Sequence, residues 1–246
     1  MTLEGTNSYR LRARDGAVVV DPGPLVEEHL QRVAGAGPVV LTLLTHGHPD
    51  HSEGAGRFHQ LTGAPVRAHN PALCVNADPL PGDEADLGVP GLALRVLPTP
   101  GHTADSVSFL VDESGRPGVL TGDTVLGRGT TVVAYPDGRL GPYLESLIRL
   151  RDLSATVCSG RRLLVLPGHG PVLHDLQAAA SHYLEHRQQR LSQVRTAVDA
   201  GAGSVQEVLQ RVYADVNPRL WEAAALSVRA QLDYLAEQGL GRRRQG

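Results

Sequence analysis

The run Val39-Val40-Leu41-Thr42-Leu43-Leu44 leads directly into Thr45-His46-Gly47-His48-Pro49-Asp50-His51. A short apolar run bounded by turn-forming residues reads as a buried strand, so the polar cluster stands on the loop at that strand's C-terminal end. His46, His48, Asp50 and His51 all carry metal-ligating groups. Imidazole and carboxylate together suit zinc or a similar first-row ion. A chain with this feature must fold so that other donors reach the same strand end.

Three later stretches supply them. Leu92 to Leu97 alternates as a strand does and runs into Pro98-Thr99-Pro100-Gly101-His102-Thr103. Ser106 to Val111 and Val119 to Thr121 also read as strands, the second ending at Gly122-Asp123-Thr124. Leu163 to Leu166 ends at Pro167-Gly168-His169-Gly170-Pro171. Donors at equivalent ends of neighbouring strands converge if the strands share one sheet. The glycines before His102, Asp123 and His169 permit tight turns and close approach. The seven donors divide between two sites. His46, His48 and His102 are expected to hold one ion and Asp50, His51 and His169 a second, with Asp123 bridging the two.

Between these stretches, Val18 to Val20 is predicted to be a strand, Leu25 to Ala34 a helix, Ser52 to Leu61 a helix and Pro65 to Ala68 a strand. Leu144 to Leu153 is a further helix. Strands alternating with helices indicate an α/β architecture. After Pro171 no β-rich run remains. His174 to Ala200, Val205 to Tyr213 and Trp221 to Gln238 read as helices, separated by Gly201-Ala202-Gly203 and Asn217-Pro218. The expected division is a catalytic domain over 1–172 and a helical module over 173–246.

The whole chain narrows the options. Its 246 residues fit one large domain with a small appendage, and 41% hydrophobic with 20% charged residues is ordinary for a globular protein. A net charge of −3 offers no global field for nucleic acid. Cys74 and Cys158 lack CxxC spacing, no apolar secretory core opens the chain, and no apolar run approaches the roughly 20 residues of a membrane helix. A cytoplasmic protein without membrane partners is expected.

The set His-x-His-x-Asp-His with the later Gly-His, Gly-Asp and Gly-His resembles the metallo-β-lactamase superfamily over roughly residues 2–171. That resemblance implies an αββα sandwich with a dinuclear site at one edge of two facing sheets, and two Zn2+ per chain held by the seven residues above. Flavin-linked di-iron relatives usually place Glu where this chain has His48, which favours a zinc hydrolase; iron or manganese also suit the donors. Thr2-Leu3-Glu4-Gly5-Thr6-Asn7-Ser8-Tyr9, Gly101 to Ser106 and Leu166 to Pro171 are similar to motifs of the β-lactamase-like protein 2 subgroup. So are His186-Arg187 and Val212-Tyr213 in the tail, which in that subgroup packs as a small winged-helix-like domain. The subgroup includes endoribonucleases acting on single-stranded RNA, and fungal relatives are polyketide thioesterases.

The resemblance implies a hydrolase in which a metal-bridging hydroxide attacks phosphorus or a carbonyl carbon, with Asp50, His51 and Asp123 catalytic. Single-stranded RNA and a small thioester or ester, as for a glyoxalase II-like enzyme, are the substrate alternatives. A different class of function, a nucleic-acid or partner binding module with structural metal, is disfavoured because structural zinc sites are closed and sulfur-rich. Asp21 is expected to support a metal-bound imidazole. Thr103, Asp105 and Ser106 either buttress His102 or cap a turn. Thr6 and Asn7 are expected in a hairpin turn rather than along the cleft. His29, His59, His69, His174, His182 and His186 are read as surface or packing residues, Cys74 and Cys158 as core fillers and Trp221 as a tail anchor. Arg161, Arg162, Arg187, Arg190, Arg195 and Arg242 to Arg244 are read as solvated.

Overall fold

The computed structural model describes residues 5–113, 115–157, 162–214, 217 and 220–239. Thr2 to Glu4 of the N-terminal signature, Cys158, Arg161, Pro218 and Arg242 to Arg244 lie outside the described residues.

The valine run forms β2 (Gly16–Val20), flanked by β1 (Tyr9–Ala13) and β3 (Val39–Leu43), with β4 (Val66–Arg67) beyond. These make one sheet in the order β1-β2-β3-β4, antiparallel at β1·β2 and parallel thereafter. A second sheet runs β5-β6-β7-β8-β9, from β5 (Ala85–Asp86), β6 (Ala93–Pro98), β7 (Val107–Glu113), β8 (Arg116–Gly122) and β9 (Leu164–Pro167). The expectation that the donor strands share one sheet is therefore corrected, and the two sheets implied by the family resemblance are present. The donors stand on strands of two sheets and converge because the two sheets' strand ends meet along one edge.

The side-chain period of two explains the layering. Val18 and Val20 point inward with Leu41 and Leu43 and meet Leu94, Val96, Phe109, Val111 and Leu120 of the second sheet. Val19 points outward to Leu30 and Phe58, carried by α1 (Glu27–Gly35) and α3 (Ala55–Thr62). On the far side, Leu97, Leu110, Val119 and Val165 bury Tyr143, Leu147, Leu150 and Tyr183, carried by α4 (Leu140–Val157) and α5 (Leu176–Asp199). The result is α/β/β/α. A fully buried Leu or Phe in such a core is worth roughly 1.5–3 kcal/mol of transfer free energy.

The helix expected over Ser52 to Leu61 begins earlier and is broken. Pro49 starts α2 (Pro49–Ser52), as its missing N–H and fixed φ suit a first helical position. Gly54 then gives its N–H to the Gly23 carbonyl at 2.9 Å, and a Cβ there would stand 2.8 Å from that oxygen. This close crossing ends α2 and puts Asp50 and His51 on their own helical turn. β1 and β5 were not anticipated. Tyr9, Leu11 and Ala13 alternate with arginines, and β5 is too short to carry a pattern.

Helix α5 serves two cores. Leu176, Ala180, Tyr183 and Leu184 join the cluster of α4, whereas Val194 and Ala197 pack with Val208, Leu209, Val228 and Leu235. The latter four belong to α6 (Val205–Val212) and α7 (Trp221–Glu237). Arg139, just before α4, pairs with Asp233 and Glu237 of α7 and ties the tail to the sandwich. No helix among the described residues is long and apolar enough to cross a membrane.

Candidate metal centre

Loops leaving β3, β6, β8 and β9, with the turn α2, bring all seven expected donors to one edge. His48 Nδ1 lies 3.0 Å from His46 Nε2 and 3.0 Å from His102 Nε2. His51 Nε2 lies 3.2 Å from His169 Nε2. Asp50 Oδ2 is 3.2 Å from His169 Nε2 and 3.6 Å from His51 Nε2. Asp123 stands between the groups, Oδ2 being 3.7 Å from His102 Nε2 and 3.4 Å from His169 Nε2, and Oδ1 3.4 Å from His51 Nε2. Three triads could each hold an ion, namely His46/His48/His102, Asp50/His51/His169 and His46/His51/Asp123.

Close approach depends on glycine. A Cβ on Gly168 would lie 2.5 Å from Asp123 Oδ1 and 2.7 Å from His51 Cε1. Gly101, at φ +135°, would strike the Tyr143 backbone at 2.3 Å.

The outer ring nitrogens show which inner nitrogens are lone pairs. His102 Nδ1 faces the Val132 carbonyl at 2.8 Å, and His169 Nδ1 the Gly5 carbonyl at 2.8 Å. A carbonyl only accepts, so these Nδ1 atoms carry a proton and Nε2 is the nitrogen left to ligate an ion. His51 Nδ1 likewise meets Asp21 Oδ2 at 2.8 Å. The Thr45 hydroxyl donates to Asp21 at 2.7 Å, which leaves its oxygen to accept from His46 Nδ1 at 3.0 Å. Bare nitrogens about 3 Å apart repel unless a cation lies between them. Nitrogens about 2.0–2.1 Å from a tetrahedral zinc would stand about 3.3 Å apart. Asp123 Oδ1 is buried without a hydrogen-bond partner. Donor chemistry, spacing and the orphaned oxygen all fit a divalent ion.

Asp21 is the supporting carboxylate expected from the sequence. It also accepts the Thr45 N–H at 2.8 Å, is 2% exposed, and holds φ +51°, a left-handed conformation uncommon outside glycine. Burial pulls His51 down, but the carboxylates of Asp21 and Asp123 outweigh it and raise it to about 10. For His169 burial is likewise outweighed, here by Asp123 and Asp50, giving about 9. Burial holds His46 and His102 below the ordinary imidazole value. Asp50 is pushed up by burial yet drawn to about 2 by His169 and His51. Asp123 is lowered in the same way against its burial.

Other expectations resolve differently. Thr103 Oγ1 donates to Asp105 Oδ1 at 2.7 Å and lies 2.7 Å from Ser106 Oγ, so this group closes a turn. The His102 ring is held instead by Val132 and by Thr131 Oγ1 at 3.1 Å, and nothing in the sequence marks that distant loop. Thr6 and Asn7 form no hairpin turn. Asn7 N–H donates to Gly168 O at 2.7 Å and Asn7 Nδ2 to Gly170 O at 2.8 Å, strapping the N-terminal segment along the end of β9. Thr6 Oγ1 donates to Asp50 Oδ2 at 3.3 Å.

A cleft of about 450 Å³ opens over this floor. His48, Asp50, His102, Asp123 and His169 line its base; Leu126, Val132, Leu220 and Ala224 give apolar walls; and Arg128, His186, Arg187, Arg190 and Tyr213 are among the remaining lining residues. His186, read as a surface or packing residue, lines the cleft, and Arg187 is buried, contrary to the solvated role expected of it. Cys74 is partly buried, its Sγ near the Ala68 carbonyl at 3.5 Å.

The sequence model of the metallo-beta-lactamase superfamily matches residues 1–169, and that of the beta-lactamase associated winged helix domain matches 204–246. The chain is 29% identical to a Caenorhabditis elegans beta-lactamase-like protein 2 homolog, over 97% of this chain and 81% of that protein. It is 32% identical to an atrochrysone carboxyl ACP thioesterase of Aspergillus chevalieri, over 87% of this chain and 70% of that one. The crystal structure of a metallo-beta-lactamase family protein from Thermus thermophilus superposes with a TM-score of 0.75 at 26% identity, covering 95% of this chain and 89% of that chain. The sandwich, its edge of seven donors and these matches show that the chain belongs to the metallo-beta-lactamase superfamily of hydrolases, in its beta-lactamase-like protein 2 subgroup, with a C-terminal winged helix domain.

Proposed function

We propose that the protein is a two-metal hydrolase of acyl thioesters or esters. The carrying observation is the pair of donor triads at the base of a cleft whose walls are largely apolar. His46, His48 and His102 would hold one ion, Asp50, His51 and His169 the other, with Asp123 reaching both. Zinc suits this sulfur-free nitrogen and oxygen set, as do iron and manganese. Such ions supply water with a pKa near 7 and stabilise charge developing on oxygen.

The chain's own groups set up the rest. Asp50 lines the cleft, where its carboxylate can accept a hydrogen bond from a water and aim it, and the Thr6 hydroxyl restrains that carboxylate. His51 and His46 are fixed in orientation through Asp21 and Thr45. Leu126, Val132 and Leu220 exclude water from an acyl chain laid along the cleft. The relative named as a thioesterase supports this substrate class.

A second reading, cleavage of single-stranded RNA, draws on the arginines of the same cleft. It is weaker, because Arg190 Cζ lies 4.9 Å over the Tyr213 ring and covers the aromatic surface a base would stack on. The test is turnover by zinc-loaded protein on a neutral thioester, single-stranded RNA and a phosphodiester reporter, with His48→Ala as control. Thioester hydrolysis that His48→Ala abolishes is expected; RNA cleavage without thioester turnover would reverse the order of the two readings.

A further inference from the structure

Arg187 has no role in that scheme, yet it is only 8% exposed. Its Nη2 donates to the Thr131 carbonyl, its Cζ lies 5.1 Å from the centre of the Tyr143 ring, and its Nε is buried with no hydrogen-bond partner. Among the described residues no carboxylate forms an ion pair with it. A buried guanidinium whose partners, the Thr131 carbonyl and Tyr143, are neutral is costly unless an anion completes its surroundings. The side chain lines the cleft.

Arg190, three residues on, shares that face of α5 and also lines the cleft. Its Nη1 reaches the Val212 carbonyl at 3.1 Å and Gln193 Oε1 at 3.1 Å, which are neutral acceptors. His186 stands beside them with a buried, unpartnered Nδ1. The acids of the cleft, Asp50 and Asp123, face the imidazoles of the floor instead. Among the described residues Arg187 and Arg190 thus carry no ion pair on this wall, and the apolar surface of Leu126, Val132 and Ala224 shares the cleft with both wall and floor.

We infer that Arg187 and Arg190, with His186, form an anion subsite that takes a carboxylate or phosphate of the substrate remote from the scissile carbonyl. A guanidinium fork matches the planar oxygens of either group. The preferred substrate is accordingly an amphipathic thioester, with an apolar stretch joining its reacting carbonyl to a negative end. This inference rests on the acyl-hydrolase reading above. It distinguishes two sources of the anion, the acyl chain itself and the thiol carrier.

The experiment compares kcat/KM of the zinc-loaded full chain on butyryl-N-acetylcysteamine, glutaryl-N-acetylcysteamine and butyryl-4′-phosphopantetheine. At least one anionic thioester should be preferred over the neutral one by about tenfold or more, the scale of one charge-assisted hydrogen bond. A glutaryl preference assigns the subsite to an acyl carboxylate, and a phosphopantetheine preference to the carrier. In Arg190→Gln and Arg187→Met that preference should collapse through KM. Arg187→Met can also alter turnover of every substrate through the Thr131 loop, so the ratio between substrates is the readout, and Arg190→Gln, which lacks that contact, keeps the test sound if Arg187→Met fails to fold. Equal kcat/KM for all three thioesters, or a preference surviving in Arg190→Gln and in any folded Arg187→Met, overturns the subsite while leaving the acyl reading standing. If no thioester is hydrolysed, the acyl reading has failed and calorimetric titration with inorganic phosphate judges the subsite separately. Weaker binding by Arg190→Gln than by wild type supports it, and equal binding removes it.

Discussion

Asp21 Oδ2 lies 2.8 Å from His51 Nδ1 and accepts the Thr45 hydroxyl at 2.7 Å, so one buried carboxylate governs the orientation of two imidazoles on both sides of the centre. Asp21→Asn keeps the shape but loses the charge and places a donor among donors. Loss of such outer support typically costs about 10–100-fold in metal affinity or activity. That range is expected for Asp21→Asn in a competition assay with a metal-sensing dye. Wild-type affinity in the variant would remove Asp21 from the site's architecture.

Metal loading should release protons at pH 7.5. In the metal-free chain His51 is raised to about 10 and His169 to about 9, so this pair retains proton that an ion must displace, whereas His46 and His102 are lowered and have little to release. The His51 contribution to metal-free stability is present below its unfolded value of about 6.5 and lost as pH rises through about 10. That of Asp50 is present above about 4 and lost as pH falls through about 2. Stability from these groups is thus greatest between about pH 4 and 6.5. Titration in weak buffer should show proton release, and Asp21→Asn should release less.

Two ions per chain are expected by elemental analysis after dialysis. Chelation should lower Tm, because the lone pairs at the edge lose the cations that hold them together and folding loses the linked binding energy. Thermal unfolding with and without EDTA measures this; an unchanged Tm would deny the ions a part in holding the edge.

Gly168→Ala should abolish function with little change of fold. The added methyl would sit 2.5 Å from Asp123 Oδ1 and 2.7 Å from His51 Cε1, and one of them must move. Metal content and turnover should fall together while the circular dichroism spectrum stays native.

Truncation should respect the two roles of α5. Ending the chain at residue 173 removes Leu176, Ala180, Tyr183 and Leu184 from the main core. Losing several large core side chains at about 2–5 kcal/mol each exceeds the stability of an ordinary domain, and no cooperative melting is expected. Ending it at residue 203 leaves these in place, and a lower but cooperative transition should remain.

The donors could be read from the chain because each follows an apolar strand in a short, glycine-marked turn, a local signal of strand periodicity and backbone freedom. The α/β alternation and the helices of the tail were legible for the same reason. Division into two sheets was implied only by the family resemblance and not by periodicity, since pairing partners such as β8 and β9 are distant in sequence and periodicity does not say which strands bond. Nor were Val132 and Thr131 behind His102, the strap at Asn7, or the burial of Arg187. Each depends on contacts between segments far apart in the chain. Sequence alone determined which atoms can ligate and at which strand ends they stand. Only the tertiary structure decided that two sheet edges meet there, and that α5 brings cations to face them, because long-range packing sets which sides of those elements are buried together.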